Sequence, residues 1–235
     1  MNKQSTRKHS PARKGLTRRQ ALVAITVFAL LGVFALGAWF YDTRAKEAAA
    51  QRASETRDAF SRPGMPSMGP LMAKVQIMEF FDPACESCRA FYPYVKDIMA
   101  KHEGSARLSL RYANFHDGSE YVSKALEAIR LQGLDLYWRA VEAVLAAQPV
   151  WADHGRSQPE RIWEFLPRVG VDVERAKRDM NDPDIAARLK QDAEDIVALG
   201  VRQTPTFFVN GKPLRNFGPD GLAAQVAEEA GRTIR

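Results

Sequence analysis

Cys85 and Cys88 are the only two cysteines in the chain, and they close the stretch Glu79-Phe80-Phe81-Asp82-Pro83-Ala84-Cys85-Glu86-Ser87-Cys88. A C-x-x-C pair cycles between dithiol and disulfide: one thiolate attacks, and its neighbour resolves the mixed disulfide. Cys85 is the expected nucleophile and Cys88 the expected resolving thiol. Two blander chemistries share this spacing. Tetrahedral zinc needs four ligands, and the four histidines (His9, His102, His116, His154) show no paired spacing that completes a set. A purely structural disulfide across so short a loop gains least from loop closure. Redox exchange is the chemistry the pair supports best.

The flanking residues say how the pair is held. Val75, Ile77, Met78, Phe80 and Phe81 form a short apolar run that Pro83 interrupts, which predicts a buried strand over 75–82. After Cys88 the apolar spacing becomes helical, with Phe91, Val95, Ile98 and Met99 on one face, which predicts a helix over 85–101 with Pro93 inside it. Cys85 then stands at a helix N-terminus. The free N–H groups and the aligned peptide dipoles there favour a thiolate.

The remaining chain supplies the frame. Leu108, Leu110 and Tyr112 alternate with polar residues and predict a strand over 107–114. A helical block follows. Val122, Ala125, Leu126 and Ile129 make one stripe, and Trp138, Val141, Val144 and Leu145 another. A shorter helix is expected to begin at Pro159 and carry Ile162, Trp163 and Phe165. The next has Asp182 as cap, Pro183 in its first turn, a stripe of Ile185, Leu189, Ala193, Ile196 and Val197, and Gly200 as its stop. Thr206 to Val209, Asn210-Gly211 and Lys212 to Leu214 read as a hairpin, because Asn-Gly suits a type I′ turn. A last helix, with Asp220 as cap, carries Leu222, Val226 and Ala230. The order of strand, helix, strand, helical block, hairpin and helix is that of an α/β core with a helical insertion.

Charge and hydropathy divide the N-terminal part. Residues 1–20 carry seven Lys and Arg and no acid, while the whole chain is at +6, so residues 21–235 sum to −1. The basic character belongs to a tail and gives no support to nucleic-acid binding by the domain. Residues 21–41 lack any charge, long enough at 1.5 Å per residue to span a bilayer as a signal-anchor helix. The positive-inside rule keeps the tail cytoplasmic and puts everything after Asp42 across the membrane, with Trp39, Phe40 and Tyr41 at the far interface. A cleaved signal peptide, leaving a soluble periplasmic protein, is the alternative. Residues 42–60 read as a solvated stalk. Residues 61–70, with Pro63, Gly64, Pro66, Gly69 and Pro70, read as a linker without regular structure, so the domain is expected over 71–235.

Taken together, the strand, C-x-x-C and helix, the downstream Thr204-Pro205 and the Asn-Gly hairpin resemble the DsbA-like branch of the thioredoxin superfamily over residues 71–235. Glu79-Phe80-Phe81 precedes Cys85 as Glu-Phe-Phe does in DsbA proteins. The resemblance makes Glu79 the family's buried acid below the disulfide, serving the proton of Cys88. It makes Thr204 and Pro205 the cis-proline loop, where an extended substrate strand pairs beside Cys85. Pro93 falls where thioredoxins kink the active-site helix, and residues 119–200 fall where DsbA-like proteins insert a helical domain. The implied fold is a thioredoxin fold with a helical insertion, after one N-terminal transmembrane helix.

One departure bears on function. DsbA has Pro-His between its cysteines, and this chain has Glu86 and Ser87, the active-site dipeptide. A carboxylate beside Cys85 disfavours its thiolate, against the helix dipole and a hydrogen bond from Ser87. Thr204 before the proline is more similar to disulfide isomerases. The expected protein is a single-pass bacterial inner-membrane oxidoreductase with its catalytic domain in the periplasm. It exchanges disulfides with protein thiols and is reset by a redox partner. A reductant or isomerase resting as the dithiol is the alternative, and a copper-handling protein using the two thiolates is the alternative from another class. No cofactor beyond the Cys85–Cys88 disulfide and no metal is expected, since the chain has no phosphate loop and no flavin or nicotinamide fingerprint.

Overall fold

Side chains along a strand alternate between the two faces of its sheet, and the strand before the cysteines uses both faces. In the computed structural model, which describes residues 62–153 and 156–231 together with 18, 19, 34, 36, 37, 39–41, 43, 44, 47, 51 and 58–60, this strand is β2 (Val75–Phe81). Val75, Ile77 and Phe81 enter the main core, and Met78 and Phe80 enter a second cluster with Ala113, Val201 and Phe208. Glu79 therefore shares the face of Val75, Ile77 and Phe81. Only Gln76 of this strand is exposed, as expected of a central strand covered on both sides.

Helix α1 (Glu86–Lys101) returns the chain to β3 (Ala106–Tyr112), which pairs parallel to β2 with Ile77 opposite Leu108. On the other side of β2, strand β6 (Thr206–Val209) runs antiparallel, with Glu79 opposite Phe207 and Phe80 opposite Thr206. The hairpin to β7 (Lys212–Pro213) turns at Asn210 and Gly211, both at positive φ (48° and 74°), as a type I′ turn requires. The sheet order is β1 (Ser67–Met68), β3, β2, β6, β7. Between β3 and β6 lie helices α2 (Ser119–Arg130), α3 (Leu134–Ala146), α4 (Gln148–Trp151), α5 (Val173–Asp179) and α6 (Pro183–Leu199), with a two-residue ladder, β4 (Ala152–Asp153) with β5 (Arg156–Ser157). Helix α7 (Pro219–Gly231) ends the described chain.

Four expectations are corrected. The 61–70 stretch is not free of regular structure: Ser67–Met68 form β1, antiparallel to β3, and the Leu110 N–H donates to the Pro66 carbonyl at 3.0 Å. Prolines at 63, 66 and 70 fit because an edge strand needs donors on one side only. The helix at Pro159 is a 3-10 helix, Pro159–Glu164, followed by a second, Leu166–Val169. Pro167 has no N–H and crowds the preceding turn, so an α-helix cannot run through it. In α6 the inward face holds Ile185, Leu189, Asp192 and Asp195, while Val197 is exposed. The helix is turned by Arg111 of β3, a fully buried guanidinium paired with both aspartates and donating to the Ala59 carbonyl at 2.9 Å. Asp195 also binds Arg62 at 2.8 Å, so the chain before β1 is fastened to α6. Finally, Asp220 lies in the first turn of α7 rather than capping it, because Pro219 already occupies the helix.

Residues 1–52 and 53–235 form two units. In the first, the described positions are helical, and Phe34, Leu36, Trp39, Phe40 and Tyr41 are exposed. The expected membrane span at 21–41 lies mostly outside the described residues, as does the tail before it. Among the described residues no helix is long and apolar enough to cross a membrane.

Candidate active site

Cys85 is the residue before α1, with extended backbone (φ −75°, ψ 118°), and no side chain caps this helix. The open N-terminal turn is left facing the thiol. Both sulfurs are buried, Cys88 completely. The Cys85 pKa is lowered to about 5: the Cys88 thiol donates to it, and the Thr204 side chain and the backbone N–H groups of Cys88 and Ser87 add to this against the effect of burial. Cys88 moves the other way. Burial raises it far above the ordinary thiol value, its hydrogen bond to Cys85 and the charges of Glu79 and Cys85 push it further, and the Asp82 N–H at 3.5 Å from its sulfur opposes them weakly. One cysteine is held ionised and the other protonated.

Register brings the second half of the site. Because Thr206 pairs with Phe80, the residues preceding β6 run beside the end of β2, and the Cys85 sulfur lies 3.3 Å from the Thr204 carbonyl. The Thr204–Pro205 bond is cis. The Thr204 hydroxyl is buried without a protein partner, so it is available to donate when Cys85 is ionised. Glu79 follows from strand alternation: it lies on the face that carries α1, is 1% exposed, and neither carboxyl oxygen has a hydrogen-bond partner. Burial first, and the Cys85 charge second, raise its pKa to about 8. Glu86 and Ser87 are exposed. The sequence-based expectation that Glu86 opposes the thiolate is outweighed, because its charge sits in water while the donors to Cys85 sit in the protein. Among the described residues no cluster of three or more His, Cys, Asp or Glu is placed to hold a metal ion.

Two residues of this site escape sequence reasoning. Asp82 is fully buried, and its carboxylate accepts from the N–H groups of Ala84 (2.9 Å), Phe115 (2.8 Å) and His116 (3.0 Å), from the Ser119 hydroxyl, and from the His116 ring at 2.7 Å. It pins the loop before Cys85 to the entry of α2. Gln148 is 1% exposed, and its amide donates to the carbonyls of Pro83 (2.8 Å) and Cys85 (3.0 Å), so the helical insertion grips the same loop from the other end. An Asp before a proline and a Gln inside a helical block carry no signal of long-range pairing.

Gln148 is thus a donor facing two acceptors. Gln148→Leu removes the donor and is expected to cost roughly 1–3 kcal/mol in urea unfolding. Gln148→Glu places a carboxylate against two carbonyls and is expected to cost more at neutral pH, with the difference narrowing in acid as the carboxyl regains a proton.

Comparison with known proteins gives the family. A family model described as Thioredoxin matches residues 61–228. The chain belongs to that thioredoxin family. Disulfide bond formation protein D of Bacillus subtilis is 26% identical over 168 residues, covering 66% of this chain and 71% of that protein. The crystal structure of oxidised BdbD from Bacillus subtilis superposes with a TM-score of 0.62 at 25% identity, covering 71% of this chain and 93% of that one. The fold is thus a thioredoxin fold with a helical insertion, of the DsbA-like kind. The Na(+)/H(+) antiporter NhaA of Herminiimonas arsenicoxydans is 28% identical over 167 residues, which cover 71% of this chain and 26% of the antiporter. The chain therefore spans about a quarter of the length of the antiporter relatives it matches.

Proposed function

We propose that this protein is a thiol:disulfide oxidoreductase that exchanges disulfides with protein thiols through Cys85 and Cys88. The observation that carries this is the placement of the two sulfurs: Cys85 stands before the uncapped first turn of α1 and 3.3 Å from the Thr204 carbonyl, with Cys88 buried one turn behind it. In the oxidising direction a client thiolate attacks the Cys85 sulfur of the disulfide. The Cys85–Cys88 bond breaks, and Cys88 leaves with a proton that neutral Glu79 is placed to supply. A second client thiolate then attacks the client sulfur, a client disulfide forms, and Cys85 departs as the stable thiolate. Two electrons pass from client to protein, and a redox partner must remove them. Thr204 and Pro205 are the backbone against which an extended client aligns. Exposed Tyr94 and Phe217, each packed on Phe91 one turn beyond Cys88, offer it an apolar rim.

A depressed Cys85 pKa stabilises the reduced form, so the bridge is expected to be oxidising. Equilibration of the folded protein with a glutathione series is the test. A potential of about −120 to −180 mV fits an oxidant or isomerase. A potential near −270 mV makes it a reductant and reverses the direction. The N-terminal part supports a single-pass anchor with the catalytic domain in the periplasm: the uncharged 21–41 run follows a tail of seven basic residues. Carbonate washing of membranes is then expected to leave the full chain in the pellet, and its release into the supernatant would count against the anchor.

A further inference from the structure

Asp82 presents a question of supply. A carboxylate has about four acceptor sites. The N–H groups of Ala84, Phe115 and His116 and the Ser119 hydroxyl already fill them, yet the His116 ring adds a fifth contact at 2.7 Å. Hydrogen-bond satisfaction of Asp82 does not require the ring. What the other four donors cannot provide is charge. Asp82 is a fully buried acid whose own N–H approaches the Cys88 sulfur and whose carboxylate holds Ala84, the residue before Cys85. Left uncompensated, its charge opposes an ionised Cys85.

Resting on the exchange function proposed above, we propose that His116, as the imidazolium paired with Asp82, is the positioning residue that sustains the Cys85 thiolate, in place of a cation between the cysteines. Glu86 and Ser87 supply no positive charge in the motif, so it comes from the loop between β3 and α2. The charged groups acting on the ring are Asp82 at the end of β2, and Cys85 and Glu86 at the start of α1. Burial works against the imidazolium, but these groups outweigh it and leave the His116 pKa above its ordinary value. The influence is reciprocal: a thiolate that holds a proton on His116 is itself held by that proton. On reduction by a client dithiol, two electrons break the Cys85–Cys88 bond. Cys88 takes the proton that Glu79 supplies, one client proton restores Glu79, Cys85 remains ionised beside the imidazolium, and the other client proton passes to water.

The test is the glutathione equilibrium of wild type, His116→Gln and His116→Lys between pH 5 and 9. At pH 6 the Gln variant is expected to shift toward the disulfide by about three- to tenfold, a modest figure because the His116 side chain is half exposed. Sign and window follow from the ring. The imidazolium favours the reduced form only while Cys85 is ionised, so the gap is widest above the Cys85 midpoint near pH 5 and closes as wild-type His116 loses its proton. The Lys variant keeps a charge throughout and is expected to stay within about twofold of wild type at pH 6. A Gln variant equal to wild type at every pH, or a Lys variant that falls as far as Gln, overturns the proposal. Failure of the wild-type protein to equilibrate with glutathione at all would overturn the exchange function, and this inference with it.

Discussion

Iodoacetamide is expected to label Cys85 and spare Cys88 in the native reduced protein, with a rate that rises through a midpoint near pH 5. Only the thiolate reacts. At pH 6 an ordinary thiol of pKa about 8.5 is roughly 0.3% ionised, whereas a thiol near 5 is about 90% ionised, a gain of about 300-fold. Nucleophilicity falls with pKa, with a Brønsted slope of about 0.4–0.5, and this returns about thirtyfold. The net expectation is a Cys85 rate about tenfold above a model thiol at pH 6, shrinking to near parity at pH 7. Mass spectrometry of the labelled protein gives both the site and the midpoint. A midpoint above pH 8, or label on Cys88, would remove the basis for placing the nucleophile at Cys85. The same asymmetry predicts that Cys88→Ala accumulates a mixed disulfide with client at Cys85, since the resolving thiol is gone, whereas Cys85→Ser forms none.

Replacing the buried acid is expected to strengthen the fold and weaken the chemistry. Glu79 titrates near 8 in the folded protein against an ordinary value of 4.5. Its folded pKa is raised, so the unfolded chain gives up the proton first, and stability falls as pH rises from about 4.5 to 8. At pH 7 the penalty is about 3 kcal/mol. Glu79→Leu has a similar volume and no proton to lose. It is expected to be more stable than wild type by roughly that amount at pH 7, and by little near pH 4, in urea unfolding of the reduced protein. The lost proton donor to Cys88 slows exchange, by at least about tenfold. A variant with unchanged stability at both pH values would place Glu79 in contact with water.

Much of this was legible from residue order alone, because the relevant signals are local. The C-x-x-C pair, the switch from strand to helical spacing around it, the Asn-Gly hairpin and the Asp182-to-Gly200 helix all declare themselves within a few residues. Glu79's burial came from the family resemblance, because both faces of its strand are apolar and spacing alone left a surface or ion-paired glutamate equally open. The misses share a cause, namely pairing across long stretches of chain. Arg111 draws Asp192 and Asp195 inward from positions 81 and 84 residues away, and Gln148 reaches a loop 63 residues back. Local patterning shows a polar residue but not the partner that justifies burying it. Pro159 misled for a different reason: a good helix start says nothing of the second proline, Pro167, that prevents an α-helix from propagating.

On the exchange function proposed above, the clients are unfolded or partly oxidised chains, extended segments seeking backbone partners that an open sheet edge would collect indiscriminately. Both margins of this sheet are guarded. On one side Ser67 and Met68 occupy the outside of β3. On the other, β7 is only Lys212 and Pro213, a charge and a residue with no N–H to offer. Under that proposal, client chains would be steered away from aggregation-prone zippering along the sheet and toward the backbone at Thr204 and Pro205, where the Cys85 sulfur lies 3.3 Å from the Thr204 carbonyl.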